Sequence, residues 1–218
     1  MNVQKGAPTE RVRVRRRHDR GAYDRETIDA ILDAQPVAHV GYAFDGAPLV
    51  TPTLQWREGD HVYWHGSAAS RMIERCDGAQ VCVTVTLIDG MVLARSAFNH
   101  SVNYRSVMLL GAARLIADPQ EKAARLRGMV DALYPGRWET LRPMTDQELK
   151  ATSVLALKID EASAKVRRGP PLDDDEDLAL QVWSGELPLR IQTLAPVPDP
   201  RGSQGLALPE HVSRFRVG

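Results

Sequence analysis

A series of short β-type segments joined by tight turns constrains this sequence more than any other feature. Residues 37–44 and 49–57 are rich in apolar and β-branched side chains and flank Asp45-Gly46. An Asp-Gly pair supplies the positive φ angles of a two-residue hairpin turn. Pro48 and Pro52 cannot donate a hydrogen bond to a neighbouring strand, so the second segment is predicted to be an edge strand or to carry a bulge.

The same pattern continues along the chain, and strands joined by short turns pair antiparallel. Asp89-Gly90 is predicted to be a turn that reverses the chain. Further strands are predicted at residues 61–65, 81–87, 91–95, 104–116, 154–159 and 162–166. The sequence therefore predicts a mainly β fold, an antiparallel β-barrel with inserted helices.

The inserted helices are predicted from the capping residues at their N-termini. Asp24 is a good N-cap for a helix over 24–34, Asp118-Pro119 begins a second helix, and Thr145-x-x-Glu148 is a capping box. A short helix is also predicted over about residues 70–76.

The composition is that of a folded protein without a membrane-spanning helix. Of 218 residues, 43% are hydrophobic and 26% are charged, and no apolar run approaches the roughly 18 residues that a spanning helix needs. Cys76 and Cys82 are the only cysteines, too few for a disulfide scaffold. The first residues lack the apolar centre of a secretory signal, so a cytoplasmic location is expected.

A net charge of zero conceals two charged blocks. Residues 10–20 contain six arginines, and residues 173–177 are all acidic. The first block would suit a nucleic-acid-binding arm. The rest of the chain shows no basic stripe or reader motif, so a solvated N-terminal tail is favoured, pairing loosely with the acidic segment of its own or a neighbouring chain.

The sequence lacks the motifs of several enzyme classes, and two polar segments are its candidate binding sites. The sequence contains no nucleotide-binding glycine motif, nucleophile elbow or zinc-protease motif. His61 and His65 share a strand face but lack a third ligand, so no metal site is predicted. The segment 66–71 enters a helix, where amide groups, two hydroxyls and Arg71 would bind a phosphate, or Ser70 would simply cap the helix.

The second polar segment is 103–106, at the start of a long strand. Tyr104 and Ser106 share one face of the strand, and Arg105 lies on the other. The alternative to a binding role is that Arg105 forms a surface ion pair.

Together these motifs resemble the pyridoxamine 5′-phosphate oxidase-like flavin-nucleotide-binding proteins. The resemblance covers about residues 20–190, and no single motif carries it. The matching segments, in order, are 46–53, 63–71, 81–85, 93–98, 103–107, 162–170 and 182–189.

The resemblance implies a split β-barrel homodimer that holds FMN in two clefts between the subunits. It implies three domains: a basic arm (1–22), the FMN-binding barrel (23–168) and a C-terminal extension (169–218). The implied FMN-binding residues are Thr51, Pro52, Thr53 and Leu54 along the ring, His65, Gly66, Ser67, Ser70 and Arg71 at the phosphate, Asn103, Tyr104, Arg105 and Ser106 from the partner or the cleft rim, and Trp183 over the ring.

The expected function is an FMN-dependent oxidoreductase of a small molecule, with NADH or NADPH as a candidate reductant. Met72 replaces the lysine that follows the phosphate-loop arginine in the vitamin B6 oxidase, so that activity is disfavoured. A nitroreductase, a non-catalytic flavin-binding protein and a barrel that holds haem or a deazaflavin remain alternatives. Tyr104 and His65 are candidate proton donors.

Overall fold

The computed structural model describes residues 6–202 and 205–217. The strands are β1 (Gly21–Ala22), β2 (Val37–Phe44), β3 (Ala47–Glu58), β4 (His61–Ser67), β5 (Gln80–Leu93), β6 (Ser101–Ala112), β7 (Arg114–Leu115), β8 (Thr152–Lys158), β9 (Glu161–Arg167) and β10 (Gly185–Pro188). The α-helices are α1 (Arg25–Ala34), α2 (Arg71–Cys76), α3 (Pro119–Leu133), α4 (Asp146–Ala151) and α5 (Glu210–Ser213).

The described strands form one antiparallel sheet in the order β1-β9-β6-β5-β2-β3-β4-β8-β7, with β10 paired to β5. The mainly β, antiparallel prediction is confirmed. The predicted N-caps are also confirmed, because Asp24, Asp118 and Thr145 each accept a hydrogen bond from the first turn of their helix.

The β2–β3 hairpin has the predicted turn and opens the barrel on one side. Asp45 and Gly46 adopt φ angles of 49° and 79°. Strand β3 pairs with β2 along residues 47–54 and with β4 only along residues 55–58. The proline-containing half of β3 is therefore an edge, as predicted.

The predicted turn at Asp89-Gly90 is wrong. Strand β5 runs without reversal through this point, and Asp89 is the extra residue of a bulge opposite β6. The Arg105 guanidinium donates to both carboxylate oxygens of Asp89, which fixes the bulge. The strand predicted at 91–95 is therefore the second half of β5 rather than a separate strand.

Gly90 allows β10 to pack against this bulge. A Cβ at position 90 would lie 2.9 Å from the Leu187 carbonyl oxygen. We expect Gly90→Ala to destabilise the docking of β10 by roughly 1–3 kcal/mol, because backbone rather than a flexible side chain would have to move. Limited proteolysis within residues 178–189 measures this, and unchanged cleavage rates would contradict the expectation.

Two apolar clusters fill the fold. The larger lies between the inner face of the sheet, α1 and α2, and contains Trp64, Leu109 and Leu155. The smaller lies beneath α3 and contains Trp56, Tyr63 and Leu126. No helix in the described ranges is long and apolar enough to cross a membrane.

The basic N-terminal arm packs on the sheet rather than extending into solvent. Val12 is 1% exposed, the amide of Val14 donates to the Tyr23 hydroxyl, and β1 pairs with β9. Within the described part of the arm, Arg11 pairs with Glu161 and no residue pairs with the acidic block of its own chain. Within that block Asp173 accepts hydrogen bonds from the amide and guanidinium of Arg95.

Candidate functional site

The exposed edge of β3 is the first part of the candidate site. Between Thr51 and Leu54 the chain pairs only with β2, so backbone groups that point the other way have no strand partner in the described chain. The Thr51 hydroxyl lies 3.4 Å from that of Tyr42, which fixes its side chain. This edge can accept a flat, polar ligand from the open side of the barrel.

The loop before α2 is the second part. Ser70 occupies the N-cap position of α2, yet its side chain makes no capping hydrogen bond. The Ser70 amide donates to the Ser67 carbonyl at 2.8 Å, which holds the loop closed. The plain alternative, in which Ser70 caps its own helix, is therefore not what the structure has, and the hydroxyl remains available to a ligand.

Gly66 has a packing role in this loop. A Cβ at this position would lie 3.2 Å from the Ile73 side chain, so the glycine allows α2 to approach β4 closely. This contact brings the start of α2 to the end of the strand.

Helix α2, which follows the loop, carries two arginines. The guanidinium carbons of Arg71 and Arg75 lie 5.1 and 4.8 Å from the centre of the Phe44 ring, at the end of β2. Neither arginine forms an ion pair with the residues that the structure describes. Two positioned cations without carboxylate partners can bind an anion with more than one phosphate.

Asn103 and Arg105 have protein partners. Asn103 is buried, donates to the Gly169 carbonyl at 3.2 Å and accepts from Arg167. The hydrogen bonds to Asp89 raise the pKa of the Arg105 guanidinium. Both side chains connect β6 to its neighbours in the single chain.

Tyr104 and Ser106 lie on the outer face of the sheet, far from the β3 edge. Strands β6 and β3 are three positions apart in the sheet, which separates them by about 14 Å. A single chain therefore does not bring these residues together with Thr51–Leu54. Trp183 is 63% exposed, and its indole packs against Gly185.

The histidines of β4 lie near aromatic rings rather than in a metal site. The His65 ring centre is 6.1 Å from that of Trp56, and burial lowers the pKa of His65. His61 Nδ1 lies 2.6 Å from an Asp60 carboxylate oxygen. No group of three or more metal-ligating side chains occurs among the described residues.

Sequence reasoning missed a cationic cavity of about 280 Å³ beneath the N-terminal arm. Its basic residues come from distant parts of the chain, and no carboxylate lines it. Burial and the nearby Arg20 lower the pKa of Arg167, while the Glu186 carboxylate raises it. The residues that line the cavity are Arg16, Arg17, Arg20, Phe98, Asn99, His100, Ser101, Lys165, Arg167 and Leu172.

Comparisons with known proteins agree with the fold. The family model described as pyridoxamine 5′-phosphate oxidase matches residues 24–166. The flavocytochrome Anf3 from Azotobacter vinelandii is 53% identical, with a TM-score of 0.95 over 98% of this chain and 100% of that one. The FAD and haem binding protein from Mycobacterium smegmatis is 39% identical, with a TM-score of 0.87 over 91% of this chain and 98% of that one. No curated protein sequence matches.

Proposed function

Because this chain belongs to the pyridoxamine 5′-phosphate oxidase family and has its split-barrel fold, we propose that it is a redox protein that binds a flavin nucleotide and a haem. One observation carries the proposal: the chain aligns over nearly its whole length with a protein named a flavocytochrome, at 53% identity. The relative from Mycobacterium smegmatis is named for FAD and haem, which supports the same two cofactors. The flavin would exchange electron pairs with a donor or acceptor, and the haem would carry single electrons.

The flavin phosphate is proposed to lie at the loop before α2. The donors there are the Ser70 hydroxyl and the Arg71 guanidinium. The Ser70 hydroxyl makes no capping hydrogen bond, and Arg71 forms no ion pair with a described residue. The edge of β3 would orient the ring, because Pro48 and Pro52 leave carbonyl acceptors without competing amide donors. In this arrangement the protein binds and orients the cofactor and needs no catalytic acid or base of its own.

The proposed nucleotide is FAD rather than the FMN expected from the sequence. FMN has one phosphate, whereas FAD has two, and α2 carries two arginines, Arg71 and Arg75, that form no ion pair with a described residue. The relative from Mycobacterium smegmatis is named for FAD. FMN remains the alternative. If the nucleotide is FMN, we expect Arg75 to make no contribution to binding.

A homodimer would complete the flavin cleft. Within one chain Tyr104 and Ser106 lie three strand positions from the β3 edge, about 14 Å, so they do not contact the ring that this edge is proposed to orient. The outer face that carries β2, β3 and β5 also exposes apolar side chains, including Val37, Val50 and Ile88. A second copy placed on this face would bring its own β6 and Trp183 to the cleft.

The proposed setting is the cytoplasm, because Cys76 and Cys82 are free thiols. A cytoplasmic nicotinamide coenzyme is the proposed electron donor. Oxidation of a vitamin B6 phosphate is not proposed, because Met72 occupies the position of the oxidase's lysine.

Anaerobic reduction of the purified protein tests the redox proposal. We expect NADH or NADPH to bleach the flavin absorbance and then to shift the haem bands to those of the ferrous form. A flavin that stays oxidised with both coenzymes would overturn the proposed donor, and a haem that stays ferric beside a reduced flavin would overturn the proposed electron transfer.

A further inference from the structure

The cationic cavity beneath the N-terminal arm has more positive charge than the surrounding protein neutralises. Four of its basic side chains form no ion pair and no side-chain hydrogen bond with residues in the described ranges: Arg16, Arg17, Arg20 and Lys165. The fifth, Arg167, is partly compensated, because the nearby Glu186 carboxylate raises its pKa. Several cations without partners around one cavity favour a ligand that carries more than one negative charge.

Two hydrogen-bond donors on the cavity wall also lack an acceptor. Arg167 is 5% exposed, and its terminal nitrogens donate to neutral oxygens of Asn103, Gly169 and Pro170. Its Nε, however, is buried without a partner in the described chain, and so is Nδ2 of Asn99. Because an unsatisfied buried donor is destabilising, the wall favours a ligand rich in acceptor oxygens, such as a phosphate.

The carboxylates around the cavity do not line it. Asp173 accepts from the Arg95 amide and guanidinium at 2.9 and 2.8 Å. Glu186 accepts from Asn103 Nδ2 at 2.5 Å. Asp19 lies between Arg17 and Arg20 in the chain, but it is exposed and pairs with neither of them in the described structure. The arginines of the arm therefore remain available to a ligand.

The size and the rim of the cavity suit part of a nucleotide. The volume is about 280 Å³, and the wall is mainly polar and charged. Phe98 also lines the cavity, although its side chain is 89% exposed. A nucleobase stacks on an exposed aromatic ring of this kind. A phosphate bound by the arginines and a base placed against Phe98 would match the two chemical parts of the wall.

The position of the cavity indicates which end of a nicotinamide coenzyme it would bind. Strand β9, which carries Lys165 and Arg167, lies four positions from β3 in the sheet, roughly 19 Å away. The nicotinamide ring must contact the flavin ring, which is proposed to lie at the β3 edge. The opposite end, the adenosine, is therefore the part left for the cavity. This end carries a phosphate monoester in NADPH and none in NADH.

We propose that the cavity binds the 2′-phosphate of NADPH and thereby selects NADPH over NADH as the electron donor. The assignment rests on the proposed function, which includes a nicotinamide coenzyme but does not choose between the two. A phosphate monoester carries about 1.5–2 negative charges at neutral pH, so it gains more from unpaired cations than a phosphodiester does. In dinucleotide-binding folds an arginine near the ribose accommodates this same phosphate.

Arg17 provides a clean test of the charge. It adopts a left-handed conformation, with φ 54° and ψ 53°, which is unfavourable for a residue with a side chain. Glycine adopts these angles freely. Arg17→Gly therefore removes the guanidinium while it preserves the backbone.

Calorimetric titration of the purified protein, with its cofactors bound, tests the assignment. The two probes are adenosine 2′,5′-bisphosphate and ADP, which carry the same number of phosphates but differ in their positions. We expect the wild type to bind the 2′,5′ compound at least about tenfold more tightly than ADP. We expect Arg17→Gly to lower the affinity for the 2′,5′ compound about tenfold, and Arg17→Gly with Arg20→Ala to lower it about 100-fold.

Arg13→Ala is the matched control, because Arg13 lies on the same arm but pairs with Glu10 and does not line the cavity. It is expected to bind both probes as the wild type does. The flavin content of every variant is expected to stay unchanged.

Anaerobic flavin reduction provides a second readout. We expect NADPH to reduce the wild-type flavin at lower concentrations than NADH does. The double variant is expected to lose this preference by requiring more NADPH, while its reduction by NADH is unchanged.

The outcomes separate this assignment from the proposed function. Equal wild-type affinity for the two probes, or unchanged affinity in the double variant, would overturn the assignment, and reduction of the flavin by either coenzyme would leave the proposed donor intact. A flavin that neither coenzyme reduces would overturn both. Loss of flavin from the double variant would instead place a flavin phosphate in the cavity and overturn the assignment.

Discussion

Alanine at both Arg71 and Arg75 is expected to lower the affinity for flavin about 1,000-fold. Each charge-assisted hydrogen bond to a phosphate is worth about 1.5–3 kcal/mol, and each 1.4 kcal/mol is a factor of ten in affinity. Both guanidiniums lie over the Phe44 ring, without a carboxylate partner in the part of the chain that the structure describes.

The single variants determine which nucleotide the loop binds. Arg71→Ala is expected to weaken binding by one to two powers of ten for either flavin. Arg75→Ala is expected to weaken FAD binding by a similar factor but to leave FMN binding unchanged. Arg114→Ala, an exposed arginine on β7 at the end of the sheet, is the control. Fluorescence titration of flavin measures all four, and a double variant within twofold of wild type would remove this loop from the site.

Trp64→Ala is expected to lower the free energy of unfolding by about 3–5 kcal/mol, the usual cost of removing a buried aromatic ring. Trp64 is 0% exposed and lies in the larger apolar cluster. This is a substantial part of the stability of a domain, which is generally about 5–15 kcal/mol.

Trp64→Phe is the matched variant, because it retains much of the ring and removes a polar group. The indole Nε1 is buried without a hydrogen-bond partner, so its loss relieves an unsatisfied donor. We expect Trp64→Phe to cost less than about 1.5 kcal/mol. Urea denaturation compares the free energies of unfolding of the two variants. Equal destabilisation would contradict the assignment of Nε1 as a buried donor without a partner.

The features predicted correctly from the sequence are mostly local ones. The Asp45-Gly46 turn, the Asp24 and Asp118 caps and the capping box at Thr145 depend on residues within one turn of one another. The proline argument for the β3 edge also succeeded, because a missing amide is a property of the residue itself.

The turn predicted at Asp89-Gly90 was wrong because distant residues determine the backbone conformation there. The same dipeptide that forms a turn at 45–46 forms a bulge here, because Arg105 on β6 binds the Asp89 carboxylate and β10 packs over Gly90. Neither partner is near in sequence. The packing of the N-terminal arm was missed for the same reason, since burial of Val12 depends on β-strands far along the chain.

The cationic cavity beneath the N-terminal arm is a feature that the sequence could not single out. It brings arginines of the arm close to Lys165 and Arg167, which lie far along the chain. The nearest signal in the sequence was the run of arginines at 11–20, of which Arg16, Arg17 and Arg20 line the cavity. The resemblance to flavin-binding proteins directed attention to residues 51–54 and 66–71 instead.

The absorbance spectrum of the freshly purified protein, with mass spectrometry of the released cofactors, tests whether the chain binds both a flavin and a haem. We expect a flavin band and a Soret band together, and the mass of FAD beside that of haem. A colourless protein that takes up neither flavin nor haemin on titration would contradict it.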